Sequence, residues 1–201
     1  TNADMDGTKR TCCVGINNRK AARIAGRLMG QFLGGTGKIA VVSSAIASEN
    51  NNYYVQVRET EFADFIHKEY PDIEIITTLD SFEDPQITYE KTVKLLRDYQ
   101  DLQGIYITCG GVAQVGRALI ESGRALEESG RAKDIRVISF EDYPEVVDLI
   151  RKDVIDCTLA GELQQQGEIP VQIIMDYLVF GKEPEQQQIF TDIRVLVKES
   201  L

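Results

Sequence analysis

Residues 14–44 read VGINNRKAARIAGRLMGQFLGGTGKIAVVSS, and this stretch contains the strand–helix–strand unit that decides the fold. VGI is a short extended run, and from Asn18 onward apolar residues recur at the spacing of one helix face. Gly34 and Gly35 are suited to end that helix, because glycine adopts the left-handed backbone conformation readily. The β-branched run at 38–44 then predicts a buried strand.

The same alternation of strand and helix patterns repeats along the rest of the chain. Further strands are predicted at 73–78, 104–108, 135–140 and 154–161, and an alternating pattern at 189–198 predicts a last strand with one wetter face. Strands separated by helices predict an α/β fold, a doubly wound and mainly parallel sheet with helices on both faces. Right-handed crossovers place the carboxyl ends of such strands along one edge, where open α/β sheets bind ligands.

A seven-residue tandem repeat marks the helix that begins near Val112. GRALIES at 116–122 is followed directly by GRALEES at 123–129. We interpret the repeat as a helix lengthened by a small duplication. Glycine inside a helix costs about 1 kcal/mol relative to alanine, so a break is expected at Gly123 or Gly130.

Composition excludes several classes of function. The chain is 43% hydrophobic and 27% charged, as globular domains are, and its net charge is −10. Non-specific nucleic-acid binding needs lysine and arginine to neutralise phosphates, so these residues alone are not expected to bind DNA. No apolar run approaches the roughly 18 residues of a membrane span, and no contact with a membrane is expected.

The cysteines and the single histidine argue against a metal site. Cys12, Cys13, Cys109 and Cys157 show neither C-x-x-C spacing nor a disulfide framework, and one histidine cannot supply zinc-ligand spacing. Unpatterned thiols favour a reducing compartment, which we take to be the cytoplasm. We expect neither a metal ion nor a cofactor.

No motif indicates an enzyme. GGTGK at 34–38 follows a helix and precedes a strand, which is the reverse of the order in a phosphate-binding P-loop. Cys109 opens a helix after a strand, but a nucleophilic cysteine needs a base and His67 lies within a different predicted helix. A glycine-lined contact with a neutral ligand at Cys109 and Gly110 is the better interpretation of that turn.

Several stretches, in order along the chain, resemble one family. VGINNRKAARIAGRLMGQFL followed by TGKIAVVSS is similar to that family's extended run, Asp-Asn pair, helix, glycine turn and strand. VRETEFADFI, GIYITCGGVAQVGRALIESG, RVISFED and VIDCTLAGELQQQGEIPVQIIMDYLVFGKEP resemble its later elements. The chain therefore resembles, over roughly residues 12–198, the periplasmic-binding-protein-like effector domain of Lac-repressor (LacI/GalR) family transcriptional regulators.

The resemblance implies a fragment of a ligand sensor. Residues 1–11 would be a flexible lead-in, residues 12–162 the C-terminal lobe of a type I binding domain, and residues 163–201 a segment that returns to a missing N-terminal lobe. The ligand would be a sugar or sugar-like effector held between lobes, the partner a second copy, and DNA would be contacted only through a missing head. A solute-binding protein of an ABC-type sugar transporter is the alternative, and a small α/β enzyme is a remote one.

The resemblance also implies which residues bind the ligand. Arg58 stands four residues before Phe62, where the family's ligand-binding arginine stands; a surface salt bridge is the alternative role. Glu141 stands in place of a ligand-binding aspartate, with Phe140 before it, and could instead be a solvated acid.

The remaining candidates are less firmly matched. Phe82 corresponds to an aromatic residue that lines the cleft, or else packs locally. Asn17 and Asn18 correspond to the Asp-Asn pair, and at least one could simply cap the helix. The other positions depart from the family pattern and imply an altered pocket; they are Cys109 and Gly110 in place of an Asn-Asp pair, and Gly161 and Glu162 in place of a glutamine.

Overall fold

The computed structural model describes residues 9–44, 53–123 and 135–201. The elements follow in chain order: β1 (Cys13–Ile16), α1 (Asn18–Phe32), β2 (Thr36–Ser43), α2 (Tyr53–Glu69), β3 (Asp72–Asp80), α3 (Pro85–Asp98), β4 (Gly104–Ile107), α4 (Val112–Glu121), β5 (Arg136–Phe140), α5 (Pro144–Arg151), β6 (Cys157–Gly161), α6 (Leu163–Phe180), β7 (Gln188–Thr191) and β8 (Ile193–Leu196). The polar stretch at 45–52, most of the second GRALEES repeat and residues 1–8 of the lead-in lie outside the described residues.

A six-stranded sheet carries the larger part of the chain. Its strand order is β3-β2-β4-β5-β6-β8, and the pairs from β3 through β6 are parallel. A separate pair, β1 with β7, is also parallel. The predicted α/β fold with a mainly parallel sheet is confirmed.

Alternate residues of the strands bury two different faces of the large sheet. One face packs against α3, α4 and α5 through a single apolar cluster that includes Val42, Ile107 and Val137. The opposite face meets α1 and α2, where Met29 closes over the strand glycine Gly104. Both faces of the central strands are therefore shielded from solvent, which explains why the sequences of these strands are continuous apolar runs.

The chain divides into two compact units. Unit 2 comprises residues 18–159 and 195–201 and contains most of the large sheet with α1 to α5. Unit 1 comprises residues 1–17 and 160–194 and contains the β1–β7 pair and α6. The predicted lobe boundary between residues 162 and 163 stays a prediction.

Two predicted strands differ from the observed ones. The alternating tail at 189–198 was expected to form one strand, but Asp192 separates β7 from β8 and the two belong to different sheets. The strand expected at 154–161 begins only at Cys157, because Asp153 has φ +57° and reverses the chain after α5. Alternation of apolar and polar residues indicates that one face of a strand is buried. It does not indicate that the chain passes from one sheet to another.

The predicted helix ends agree with the structure. Gly34 and Gly35 follow α1 with φ +65° and +88°, and α4 ends at Glu121, two residues before Gly123 with φ +71°. Of the helices that the structure describes, none combines the length and apolar character needed to cross a membrane.

Candidate ligand-binding site

Four strands of unit 2 end at one edge of the sheet, which we call the rim: residues 43–44, 80–83, 108–111 and 140–142. Most of the sequence-predicted site residues lie on this rim or reach it from α1 and α2. Asn17 and Glu162 belong to unit 1.

Arg58 is the central side chain of the rim. It projects from α2, is only 8% exposed, and its guanidinium carbon lies 3.5 Å from the centre of the Phe140 ring. Nε donates to Oδ1 of Asn18 at 2.7 Å, and Nη1 donates to the carbonyl of Thr108 at 3.0 Å. Burial lowers the pKa of Arg58, although a guanidinium stays charged at neutral pH. Arg58 is therefore a fixed, buried cation and not a surface salt-bridge residue.

Two buried aromatic residues stack between α2 and β4. Phe62 lies one turn further along α2, and its ring stacks on Tyr106 of β4 with centroids 4.2 Å apart. Both rings are fully buried, and the Tyr106 hydroxyl has no hydrogen-bond partner among the described residues. Sequence reasoning assigned Tyr106 only to a core strand, since nothing in GIYIT distinguishes a rim residue from a core residue. Phe140 is likewise 1% exposed, and its ring lies against the Arg58 guanidinium.

Glu141 places a carboxylate beside Arg58. Its backbone is held on both sides: the N–H donates to Leu159 at 2.8 Å, and the carbonyl accepts from the Thr158 hydroxyl at 2.6 Å. Its φ is +76°, a strained value for a side chain of this size. Oε1 lies 3.9 Å from Nη2 of Arg58. Burial raises the pKa of Glu141, Arg58 opposes that rise and Asp142 adds to it.

A second cluster of polar side chains surrounds Cys109. Its thiol lies 3.4 Å from the Ser81 hydroxyl, which also accepts the backbone N–H of Glu83 at 3.3 Å. The buried Ser44 donates to the Glu83 carboxylate at 3.1 Å. Burial raises the pKa of the Cys109 thiol, with hydrogen bonds from Ser81 and Ser44 opposing it, so the protonated form is favoured. Cys109 therefore contributes an uncharged thiol to the rim.

The Phe82 side chain is exposed to solvent at the rim. It is 53% exposed, with φ +53°, and its ring is covered on one side by the Lys91 ammonium, 4.5 Å from the centroid. Lys91 also donates to the carbonyl of Asp80 at 2.6 Å, which fixes the ammonium. The alternative of local core packing does not apply to a ring that is more than half exposed.

The glycines after Cys109 have different surroundings. A Cβ on Gly110 would meet nothing within 4 Å, whereas one on Gly111 would lie 2.8 Å from Cγ2 of Thr88. Gly111 also has φ +91° and is the N-cap residue of α4. Gly110 therefore leaves open space at the rim, and Gly111 is required by the turn.

Two of the predicted site residues in unit 1, Gly161 and Glu162, contact other residues of that unit. The Glu162 carboxylate forms an ion pair with Nε of Arg194 at 3.2 Å, and its N–H donates to the carbonyl of Asp192 at 3.1 Å. A Cβ on Gly161 would collide with Gln166 and Ile16. Within the three described ranges, no group of acidic, histidine or cysteine residues could hold a metal ion.

Solved structures of similar shape are sugar-binding proteins by name. GanP, a glucose-galactose binding protein from Geobacillus stearothermophilus, has a TM-score of 0.85 at 22% identity, over 100% of this chain and 67% of that one. The sugar-binding protein of a sugar ABC transporter from Bacillus halodurans has a TM-score of 0.83 at 26% identity, over 96% of this chain and 66% of that one. AraP, an arabinose binding protein from Geobacillus stearothermophilus, has a TM-score of 0.81 at 23% identity, over 96% of this chain and 65% of that one. The chain thus spans about two-thirds of the length of these structures.

Sequence comparison assigns the family. No curated protein matches the chain. Residues 1–183, however, match the periplasmic binding protein domain, and the parallel sheet with helices on both faces is the architecture of the similar solved structures. The chain therefore belongs to the periplasmic binding protein domain family.

Proposed function

We propose that the chain binds a small carbohydrate at the rim of unit 2, without catalysing a reaction. The observation that carries the proposal is the fixed position of Arg58. Its stem is buried, two of its nitrogens are held by Asn18 and Thr108, and Nη2 points its donors towards the space beside Glu141. A rigid donor next to a carboxylate acceptor suits a hydroxyl group, which both accepts and donates.

Other rim residues complete the recognition of a sugar. The half-exposed Phe82 ring offers an apolar face for the C–H side of a pyranose or furanose. Ser44 and Ser81 are buried, and their hydroxyls hold Glu83 and Cys109 in place at the rim. Burial raises the pKa of the Cys109 thiol and favours its protonated form, so the rim is suited to binding and not to nucleophilic attack by this thiol.

Two biological settings suit a sugar-binding chain of this family. The similar structures named as sugar-binding proteins of transporters favour a solute-binding protein that delivers its ligand to an ABC-type transporter. The ordered motifs that resemble Lac-repressor regulators favour a cytoplasmic, dimeric effector domain attached to a DNA-binding head. The gene sequence upstream of Thr1 separates the two settings: a lipobox or signal peptide supports the transporter, and a helix-turn-helix supports the regulator.

Titration calorimetry with a panel of neutral aldoses tests the proposal. We expect at least one aldohexose or aldopentose to bind, and Arg58→Lys to weaken that binding by about 1.5–3 kcal/mol, because lysine keeps the charge but loses the planar fork. Arg117→Lys, on the exposed surface of α4, is the matched control and is expected to bind as the wild type does. Absence of heat with every aldose, or equal affinity of Arg58→Lys, would remove the rim as a sugar site.

A further inference from the structure

Two consecutive residues of the rim have a left-handed backbone. Phe82 has φ +53° and Glu83 has φ +55°, a region that is unfavourable for residues with a Cβ and most of all for bulky ones. The Phe82 side chain is also 53% exposed, although an aromatic ring is stabilised by burial. Contacts around the loop of residues 80–84 therefore hold Phe82 in this position.

Backbone hydrogen bonds fix the path of this loop but not the position of its tip. The N–H groups of residues 82–84 donate to acceptors within the loop itself, at 3.0, 3.3 and 2.9 Å. At the base of the loop, the N–H of Ser81 donates to the carbonyl of Ser43 at 2.7 Å. The bonds within the loop would move with it, so they do not tie Phe82 to the sheet.

One side-chain hydrogen bond joins the left-handed pair to the neighbouring strand. The Ser44 hydroxyl, directly after β2, donates to Oε1 of Glu83 at 3.1 Å, across 39 positions of the sequence. Ser44 is buried, so its hydroxyl has a fixed position, whereas Glu83 is an exposed residue that reaches inward to it. From α3, the Lys91 ammonium lies on the Phe82 ring and donates to the carbonyl of Asp80. The pair is thus held through Glu83 on one side and through Lys91 on the other.

We infer that the hydrogen bond between Ser44 and Glu83 fixes Phe82 at the rim, so that the aromatic ring is in place before a ligand binds. Ser44 and Glu83 act here as positioning residues, since neither needs to touch the ligand. The inference rests on the proposed function and adds to it the two residues that order its aromatic contact. A contact that is ordered before binding lowers the entropic cost of binding, so losing that order weakens affinity.

A fluorescent reporter tests whether the bond orders the loop. The sequence contains no tryptophan, so Phe82→Trp introduces a single indole at the position in question. Ser44→Ala and Glu83→Ala, each added to that variant, remove one side of the bond. We expect time-resolved anisotropy to show nanosecond motion of the indole with about twofold greater amplitude in both, because an exposed side chain that is not held reorients on this timescale. Glu83→Gln keeps an oxygen that accepts from Ser44 and should leave the motion unchanged.

The effect on binding is measured with Phe82 in place. D-glucose, D-galactose and arabinose are titrated into the wild type and the Ser44 and Glu83 variants. For an aldose that binds, we expect Ser44→Ala and Glu83→Ala each to weaken affinity roughly twofold to tenfold, the effect of one hydrogen bond. The double variant should bind no more weakly than either single one, because both changes remove the same bond. Glu83→Gln should bind as the wild type does.

A second glutamate controls for the loss of charge. Glu90 is exposed on α3, and its carboxylate accepts from Gln86 of the same helix. Glu90→Ala removes the same charge as Glu83→Ala without removing a contact of the loop, so it should change neither affinity nor indole motion. Thermal unfolding of each variant confirms that the fold is retained.

The outcomes separate this inference from the proposed function. Indole motion that neither Ser44→Ala nor Glu83→Ala changes overturns the inference, whether or not a sugar binds. Greater motion with unchanged affinity overturns the positioning role, although the bond then still orders the loop. If none of the aldoses binds to the wild type, the proposed function is lost and the positioning role with it, and the anisotropy alone decides whether the bond holds the loop.

Discussion

Glu141 carries two unfavourable features in one residue. Its backbone has φ +76°, and burial raises the pKa of its carboxyl group. Strained backbone of this kind costs of order 1–3 kcal/mol and collects at binding sites. Phe82 and Glu83, also at the rim, share the same left-handed region with φ +53° and +55°. The strain is therefore concentrated where the ligand is proposed to bind.

The raised pKa of Glu141 predicts that Glu141→Gln stabilises the fold at neutral pH. A carboxyl group with a pKa higher in the folded state than in the unfolded state destabilises the fold when ionised, and this cost disappears as pH falls through the folded pKa. Glu141→Gln should therefore be more stable than the wild type at neutral pH, with an advantage that shrinks towards about pH 4. Urea unfolding at both pH values measures it.

An exposed glutamate provides the control for that prediction. Glu185→Gln removes the same charge from a solvated position and should show no comparable gain at neutral pH. A Glu141→Gln protein that is less stable at neutral pH would show that the attraction of Arg58 outweighs the burial of the carboxylate.

The turn between β4 and α4 forms one segment of the rim. Cys109 follows β4 with its thiol buried, Gly110 faces open space, and Gly111 caps the start of α4 with φ +91°. A turn of this kind lets α4 start immediately after the sheet, which brings Val112 and Val115 into the core.

The two glycines of this turn should respond differently to alanine. Gly111→Ala places a Cβ 2.8 Å from Thr88 at a positive φ, so it should lower the free energy of unfolding by about 1–2 kcal/mol or more. Gly110→Ala has room and no positive φ, so it should be neutral or stabilise by up to about 1 kcal/mol, because alanine restricts the unfolded chain. Denaturant titration of the pair compares them directly. Equal destabilisation by both would contradict this account of the turn.

Most elements of unit 2 could be predicted from the sequence, and most contacts of the site could not. The apolar periodicity that locates β2, α1 and β4 is set by burial, which acts on every residue of an element. The bond from Arg58 to Asn18 joins residues 40 positions apart, and no local pattern encodes it. Family resemblance suggested Arg58 and Glu141, but the contact of Arg58 with the Phe140 ring and the positive φ of Glu141 depend on tertiary packing. These features are visible only in the structure.

At the scale of the whole molecule, unit 1 exposes an unusual amount of apolar surface. In α6, Gln166 is the only buried residue, while Leu178 and Phe180 are 72% and 77% exposed. Unit 1 contains one pair of strands, and two-stranded sheets need packing partners to be stable. A cavity of about 300 Å³ opens beside the end of α6, lined by residues that include Ile173, Pro184 and Ile189. Exposed apolar side chains gathered on one helix are typical of an interface.

We therefore propose that the chain self-associates through α6. Sedimentation equilibrium should show mass rising with concentration for the wild type. Leu178→Lys combined with Phe180→Lys should shift it towards the monomer, because charges replace two exposed apolar side chains that association would bury. Gln164→Lys, on an exposed polar position of the same helix, adds one charge without removing apolar surface and should associate as the wild type does. A wild-type chain that remains monomeric at high concentration would contradict the proposal, and α6 would then have to be covered by a different partner.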